Sequence, residues 1–264
     1  MDIKGSLATY KIVKTEDGSV TAHSGLFDEN CHSTSGAWDE TLYNYISGCN
    51  VIEKIRKQSK LTILEVGFGV GLGVYVTLKE IIKDNPDNLK KLLFISTEID
   101  RDFAYWALTE SDFAKEFCIA PNDIQVINGH FHVTIQGAKL IVLVGDARET
   151  IRDLKEYPLL DCIYQDAFSP QKNPTLWAIE WFRDLRSFSS NEVIMSTYSS
   201  AMRVKKAMVN GGFFVSNRQG FGRKRTCTQA FAVAPKDTES LKLHQQVINS
   251  QSIPISDETH TKTK

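Results

Sequence analysis

Along this chain, short apolar runs alternate with stretches whose hydrophobic residues recur at helical spacing, the pattern of a sheet covered by helices on both faces. Residues 61–66 read as a buried parallel strand, since apolar and β-branched side chains dominate them, and residues 74–82 resume at helical spacing. Residues 92–97, 124–127, 159–164 and 193–197 predict further strands, and residues 101–108, 111–117, 174–188 and 200–209 predict helices. Residues 130–144, with Gln136-Gly137 as a turn, predict a hairpin, and residues 213–216 with 226–233 predict an antiparallel closing pair. Ahead of these, residues 7–13 and 20–23 suggest a strand pair around Glu16-Asp17-Gly18, and residues 35–58 two helical segments broken near Gly48. After Pro235 the chain turns polar and loses its periodicity. The expected architecture is α/β, a mostly parallel, doubly wound Rossmann-like sheet with an antiparallel closing strand and a short N-terminal β/helical extension. Its divisions are residues 1–58 as strand pair and cap helices, 59–244 as the main domain and 245–264 as a polar, flexible tail.

The strand at 61–66 runs into Gly67, Gly69, Gly71 and Gly73 and then a helix, a geometry that cradles a nucleotide. A dinucleotide fingerprint needs its third glycine three positions after the second, where this chain has Leu72, Val74 or Val76 depending on the starting glycine. Nicotinamide and flavin are thereby disfavoured. The remaining pattern, acidic-x-Gly-x-Gly-x-Gly led by Glu65, is that of class I methyltransferases dependent on S-adenosyl-L-methionine (SAM), with Glu65 expected near the amino-acid end of the cofactor.

Composition narrows the reading further. The 264 residues suit one α/β domain with appendages, and 31 basic against 32 acidic residues leave no global field for nucleic acid or membrane. Five scattered cysteines without C-x-x-C spacing argue against a disulfide framework and structural zinc. His130 and His132 offer two ligands without a third, so no metal is expected. The absence of a signal pattern and of a long apolar run predicts a cytoplasmic protein with no membrane span.

Three acidic positions follow strands where such a fold holds its ligand. Glu98 is placed to accept hydrogen bonds from ribose hydroxyls, with Asp100 competing for that role, and Asp146 is placed near the adenine amino group or as the N-cap of the following helix. Asp166 ends an apolar strand and opens a rigid loop with Ser169-Pro170 and Asn173-Pro174. A carboxylate there can orient an amine nucleophile or take its proton.

The segment from Asp166 to Trp177, DAFSPQKNPTLW, resembles the D-x-F-x-P-x-K-N-P-x-x-W motif of the methyltransferase domain of MnmC, the bifunctional tRNA wobble-uridine enzymes, and of its free-standing relatives. Ser196-Thr197-Tyr198, Gly212-Phe213-Phe214-Val215, the loop Gly220 to Arg225 and His32-Ser33 with Gly36-Ala37 and Glu40-Thr41 are similar to further motifs of that family, across residues 15–234. The resemblance implies SAM as cofactor, held by Glu65, Gly67, Gly69, Gly71, Glu98, Asp146 and Glu40, and Asp166 as the catalytic group. It implies substrate contacts from Phe168, Pro170, Lys172, Lys224 and Arg225, and N-methylation of 5-aminomethyl-2-thiouridine in the tRNA anticodon region. The fused oxidase half is absent, so separate enzymes would supply the aminomethyl precursor. Lys205, Lys206, Arg218, Arg223, Lys224 and Arg225 suggest a phosphate track, with Phe168, Trp177 or Phe221 to stack a base. Methylation of a different amine, or a non-catalytic SAM-binding role beside RNA-modifying enzymes, are the competing readings.

Overall fold

Strands buried on both faces form the centre of the molecule, seen here in a computed structural model that describes residues 1–222 and 225–261. Among the described residues, thirteen strands occur in chain order: β1 Asp2–Lys4, β2 Thr9–Lys14, β3 Val20–Ser24, β4 Glu29–Asn30, β5 Leu61–Val66, β6 Leu92–Glu98, β7 Gln125–Ile127, β8 His130–Ile135, β9 Ala138–Val144, β10 Leu160–Gln165, β11 Ser189–Thr197, β12 Phe214–Gln219 and β13 Thr226–Phe231. The large sheet has the order β12-β13-β11-β10-β5-β6-β9-β8-β7. Its centre, β9-β6-β5-β10-β11, is parallel, and both flanks are antiparallel.

All six residues of β5 are buried, and successive side chains serve different cores because a strand alternates its faces. Ile63 joins an apolar layer with the helices Val51–Lys57, Leu72–Asp84 and Arg101–Thr109, while Leu64 joins the opposite layer with Ile179–Ser187 and Met202–Asn210. Strand order reverses between β5 and β10, so the carboxyl ends of β5, β6, β9 and β10 open the crevice in which such sheets bind ligands.

The N-terminal extension is larger than the expected strand pair: β1 to β4 make a four-stranded antiparallel sheet. Polar, half-exposed strands such as β1 and β4 carry little periodicity to read. One carboxylate fastens this sheet to the main domain. Asp100, fully buried, accepts from the backbone N–H groups of Ser6 and Leu7 at 2.8 Å and of Ala8 at 3.3 Å, and from the Tyr10 hydroxyl at 3.1 Å. It also N-caps Arg101–Thr109 through Asp102 and Phe103. The cap helices follow as Ala37–Thr41, a π-helical turn Leu42–Ser47, and Val51–Lys57.

Other elements depart from the sequence reading. The helix expected over residues 174–188 divides into a 3₁₀ turn, Pro174–Trp177, and an α-helix, Ile179–Ser187, because Ala178 between them is extended. The flexible tail expected from residue 245 is not what the structure shows over residues 245–261; residues 262–264 lie outside the described residues. A helix spans Thr238–Asn249, Val247 and Ile255 are buried in the second core layer, and Arg148 holds Asp257 through two hydrogen bonds of 3.0 and 2.8 Å. Isolated apolar residues among polar ones are enough to dock a segment onto an existing core, a contact that local periodicity does not reveal. No described helix is long and apolar enough to cross a membrane.

Burial opposes ionisation of Asp100, but the N–H groups of Leu7, Ser6 and Phe103 outweigh it and hold its carboxyl below the usual range. With the folded value depressed, the stabilisation is present above the unfolded pKa and is lost as pH falls through the folded one. Asp100→Ala is expected to destabilise the protein by about 3 kcal/mol or more in urea unfolding, with the gap to wild type closing on acidification. A gap below about 0.5 kcal/mol at neutral pH would show that the carboxylate does not fasten the two sheets.

Candidate active site

The strand ends place four sequence-predicted groups on one cavity of about 430 Å³: the loop after β5, Glu98 at the end of β6, Asp146 after β9 and Asp166 after β10. Gly67 and Gly69 line it with φ of +102° and +56°, conformations that exclude most side chains and leave backbone facing the cavity. The loop is braced from below. Thr97 receives the N–H of Gly67 on its hydroxyl and that of Phe68 on its carbonyl, and Glu98 Oε2 receives that of Gly69 at 3.1 Å.

Glu98 is 9% exposed and lies on the cavity wall; burial pushes its carboxyl up to about 7, partly offset by the N–H groups of Asp100 and Gly69. Asp146 accepts from the Arg148 N–H at 2.9 Å, so it caps the helix Ala147–Thr150 while also lining the cavity. Asp100 does not share the ribose position: its oxygens are occupied by the N-terminal segment, leaving Glu98 as the carboxylate of β6 that faces the cavity.

Glu65 and Gly71 do not lie on the cavity wall. Glu65 is buried beneath the first turn of Leu72–Asp84, accepting from the Ser96 hydroxyl at 2.8 Å, and any Cβ at Gly73 would overlap its carboxyl. Burial pushes the Glu65 pKa well above the ordinary value. Gly71 packs against Phe113 in a left-handed conformation, φ +79°.

A second cavity, about 220 Å³, adjoins the first, and Cys31, His32, Asp166, Ala167 and Phe168 form walls of both. Glu40, expected at the cofactor, lines this second space instead and receives the Ser33 N–H at 3.2 Å. Three carboxylates, Glu29, Glu40 and Asp166, are among the described residues that line it. The Tyr45 hydroxyl donates to Asp166 Oδ1 at 2.5 Å, and His32 Nε2 stands 3.6 Å from Oδ2. A carboxylate with these neighbours, on the wall between two spaces, is placed to hold a cation in one while it reacts with a group in the other.

The turn after β3 closes over the first cavity. Phe27 stacks on Phe168 with ring centroids 4.5 Å apart, Glu29 accepts the Ser169 N–H at 2.8 Å, and Lys172 Nζ pairs with Asp28 at 3.0 Å. Phe168 and Lys172 line the cavity; Pro170 does not.

The described members of the expected phosphate track have separate partners. Lys205 is buried and donates to Asn217, burial drawing its pKa down; Lys206 reaches the Ser250 carbonyl; Arg218 lies over the Tyr43 ring and donates to the Tyr43 carbonyl. Arg225 is exposed, and Arg223 and Lys224 lie outside the described residues. Trp177 is buried with its indole N–H on the Phe168 carbonyl, so it cannot stack a base, whereas Phe221 is half-exposed beside Tyr43. His130 serves the fold: its Nδ1 accepts the Val144 N–H and its Nε2 faces Asp153 at 3.1 Å.

Comparison with known proteins adds to this geometry. Residues 114–233, which include Asp146, Asp166 and Lys172, match the family of S-adenosyl-L-methionine-dependent methyltransferases. The MnmC2 structure from Aquifex aeolicus aligns with a TM-score of 0.76 at 29% identity, over 96% of this chain and 81% of that one. The tRNA 5-methylaminomethyl-2-thiouridine biosynthesis bifunctional protein MnmC of Paraburkholderia phymatum is 32% identical over 217 residues. The chain is an MnmC-like, SAM-dependent methyltransferase. That alignment covers 78% of this chain and 32% of the MnmC protein, so the chain spans about a third of the length of such relatives. An uncharacterized protein of Methanocaldococcus jannaschii is 25% identical over 99% of this chain and 71% of its own length. The large sheet is the class I methyltransferase fold, and SAM is the cofactor.

The residues present suit SAM: two glycine backbones leave room along one wall, and the carboxylates of Glu98 and Asp146 can accept hydrogen bonds from hydroxyl and amino groups. Tyr10, Phe27, Cys31 and Tyr45 were missed, since single aromatics or a lone cysteine in the N-terminal third carry no spacing signal. Glu98 accepts hydrogen bonds best as a carboxylate, so SAM affinity measured by calorimetry should rise with pH through about 7. Glu98→Gln should weaken binding about 10-fold at pH 8 and flatten that dependence. An unchanged pH dependence in the variant would remove Glu98 from the cofactor contacts.

Proposed function

We propose that this protein methylates the primary amine of 5-aminomethyl-2-thiouridine at the tRNA wobble position, giving 5-methylaminomethyl-2-thiouridine. The observation that carries the reading is Asp166, on the wall shared by the cofactor cavity and a second cavity rich in carboxylates. The second cavity suits an ammonium group, which Asp166 and Glu40 would draw in and hold. The printed name of the MnmC relatives supports the choice of this amine over others.

SAM bound in the first cavity would supply an electrophilic methyl group on a sulfonium, whose methyl–sulfur bond breaks as the new bond forms and leaves a neutral thioether. The amine must lose a proton before its lone pair can form the new N–C bond, and Asp166 is the group positioned to accept it. The rest of the site restricts motion: Phe168 and Ala167 separate the two cavities, and the stack of Phe27 on Phe168 limits solvent entry. Phe168, Lys172 and Arg225 are the groups we assign to the RNA, Phe168 to a base and the two cations to phosphates of the anticodon region. A tRNA substrate points to the cytoplasm as the place of work, with enzymes that make the aminomethyl precursor as functional partners.

Purified protein incubated with methyl-labelled SAM and tRNA lacking this methylation is expected to yield labelled 5-methylaminomethyl-2-thiouridine on nucleoside digestion. Asp166→Ala is expected to reduce transfer by about 10²-fold or more while SAM binding persists. Binding of SAM without transfer to this tRNA would overturn the substrate assignment.

A further inference from the structure

We propose that the turn between β3 and β4 is an internal stand-in for a nucleotide: Phe27 covers the ring of Phe168, and Asp28 the ammonium of Lys172, until an RNA base and phosphate take those places, an inference that rests on the assignment of Phe168 and Lys172 to the RNA above.

The receiving groups stand on a fixed loop. The Trp177 indole donates to the Phe168 carbonyl at 2.7 Å, and the Ser169 carbonyl accepts the N–H groups of Lys172 at 2.9 Å and of Asn173 at 2.8 Å. Phe168 and Lys172 are thereby presented together on the wall of the cofactor cavity. Both are engaged by consecutive residues of one turn. The Phe27 ring stacks on Phe168 with centroids 4.5 Å apart and planes inclined by 25°, and the Asp28 carboxylate accepts from Lys172 Nζ at 3.0 Å. A flat ring followed directly by an anion is the chemistry of a nucleotide, whose base stacks on aromatic side chains and whose phosphate pairs with cations. Closing the cavity requires only the apolar cover that Leu26 and Phe27 supply, and leaves the covering of Lys172 by the next side chain without a purpose.

These contacts suit exchange. The side chains of Asp28 and Lys172 are 81% and 41% exposed, and a surface ion pair contributes little, so a phosphate carried by a polyanionic chain can replace the single carboxylate. The hydrogen bond from Lys172 and its charge hold the Asp28 carboxyl below the usual range, which keeps the stand-in anionic at pH 7. The turn can also lift without unravelling the sheet, because its ends are held separately. The Gly25 N–H donates to the Thr9 carbonyl at 3.0 Å, Glu29 accepts the Ser169 N–H at 2.8 Å, and the Cys31 N–H donates to the Ala22 carbonyl at 2.8 Å. Between these anchors Leu26 and Asp28 are exposed and Phe27 is half-buried. A base that replaces Phe27 closes the same wall, so the cofactor cavity stays shielded in both states.

The test is a double-mutant cycle with an anticodon stem-loop RNA, its binding followed by fluorescence anisotropy. Removing an internal occupant raises apparent affinity in proportion to the time it had covered the surface, so Asp28→Asn and Phe27→Ala are each expected to tighten binding about fivefold. Lys172→Ala is expected to weaken it, and in that background Asp28→Asn should lose most of its gain, because the carboxylate then has no cation to cover. A gain of undiminished size there means simple relief of charge repulsion and overturns the inference. Fluorine NMR of fluorophenylalanine-labelled protein reads the turn itself, with the Phe27 resonance assigned through its loss in Phe27→Leu. Saturating RNA is expected to move that resonance to the position it takes in Phe168→Leu, where the stack is missing. A Phe27 resonance that stays in place with RNA bound overturns the inference and leaves the methylation reading, assayed by methyl transfer, intact. RNA that displaces Phe27 without becoming methylated supports the stand-in and sinks the substrate assignment alone, and RNA that binds neither wild type nor variants overturns both.

Discussion

The buried carboxylate of Asp100 is the interaction on which the arrangement of this protein rests. It gathers three N–H groups of residues 6–8 and the Tyr10 hydroxyl, while capping the helix that follows β6. A charge out of contact with water is tolerable only when hydrogen bonds replace its hydration, and the N-terminal strand supplies them. Because β1 and β2 are tied there, β3 and β4 lie over the strand ends, and Phe27, Cys31 and His32 reach the cavities. A structural group thus decides the geometry of a site whose reacting atoms it never touches.

Acidic side chains in this region have separate fates set by their surroundings. Glu98 lies against two N–H groups and the cavity, Glu65 is sealed under a helix and accepts from a hydroxyl, and Asp166 accepts from the Tyr45 hydroxyl on the wall of two cavities. The same functional group therefore lines a cavity, packs beneath a helix or stands on a wall between two cavities. Hydrogen-bond supply and exposure make the distinction, which residue type alone cannot.

The parts legible in the sequence were those written by local rules. A strand buried on both faces leaves an apolar run, a tight turn demands glycines, and the D-x-F-x-P-x-K-N-P-x-x-W segment is dense enough to be recognised, so β5, its loop and Asp166 could all be located. What escaped depended on distant partners. Nothing near Asp100 reveals that residues 6–8 bind it, and nothing in the sequence around Tyr45 reveals a π turn or the reach to Asp166. Lys205 looks like a surface cation but is buried against Asn217, because a long aliphatic stem lets a charged head cross apolar ground to a polar partner. The C-terminal segment reads as polar, and only the finished core provides the pocket that takes Ile255.

The contacts that close the site join residues far apart in the chain: Glu29 with Ser169 across 140 positions, Asp28 with Lys172 across 144, Tyr45 with Asp166 across 121. Bringing such segments together costs loop entropy before any contact forms, so they belong to the slow, late part of folding. The sheet order adds to this, since β5 at residue 61 pairs with β10 at residue 160. During synthesis the N-terminal sheet emerges first and waits for the strand ends that it will cover. Competence to bind the cofactor therefore arrives late in folding, and a chain stalled before β10 would carry the cofactor loop without the wall that faces it.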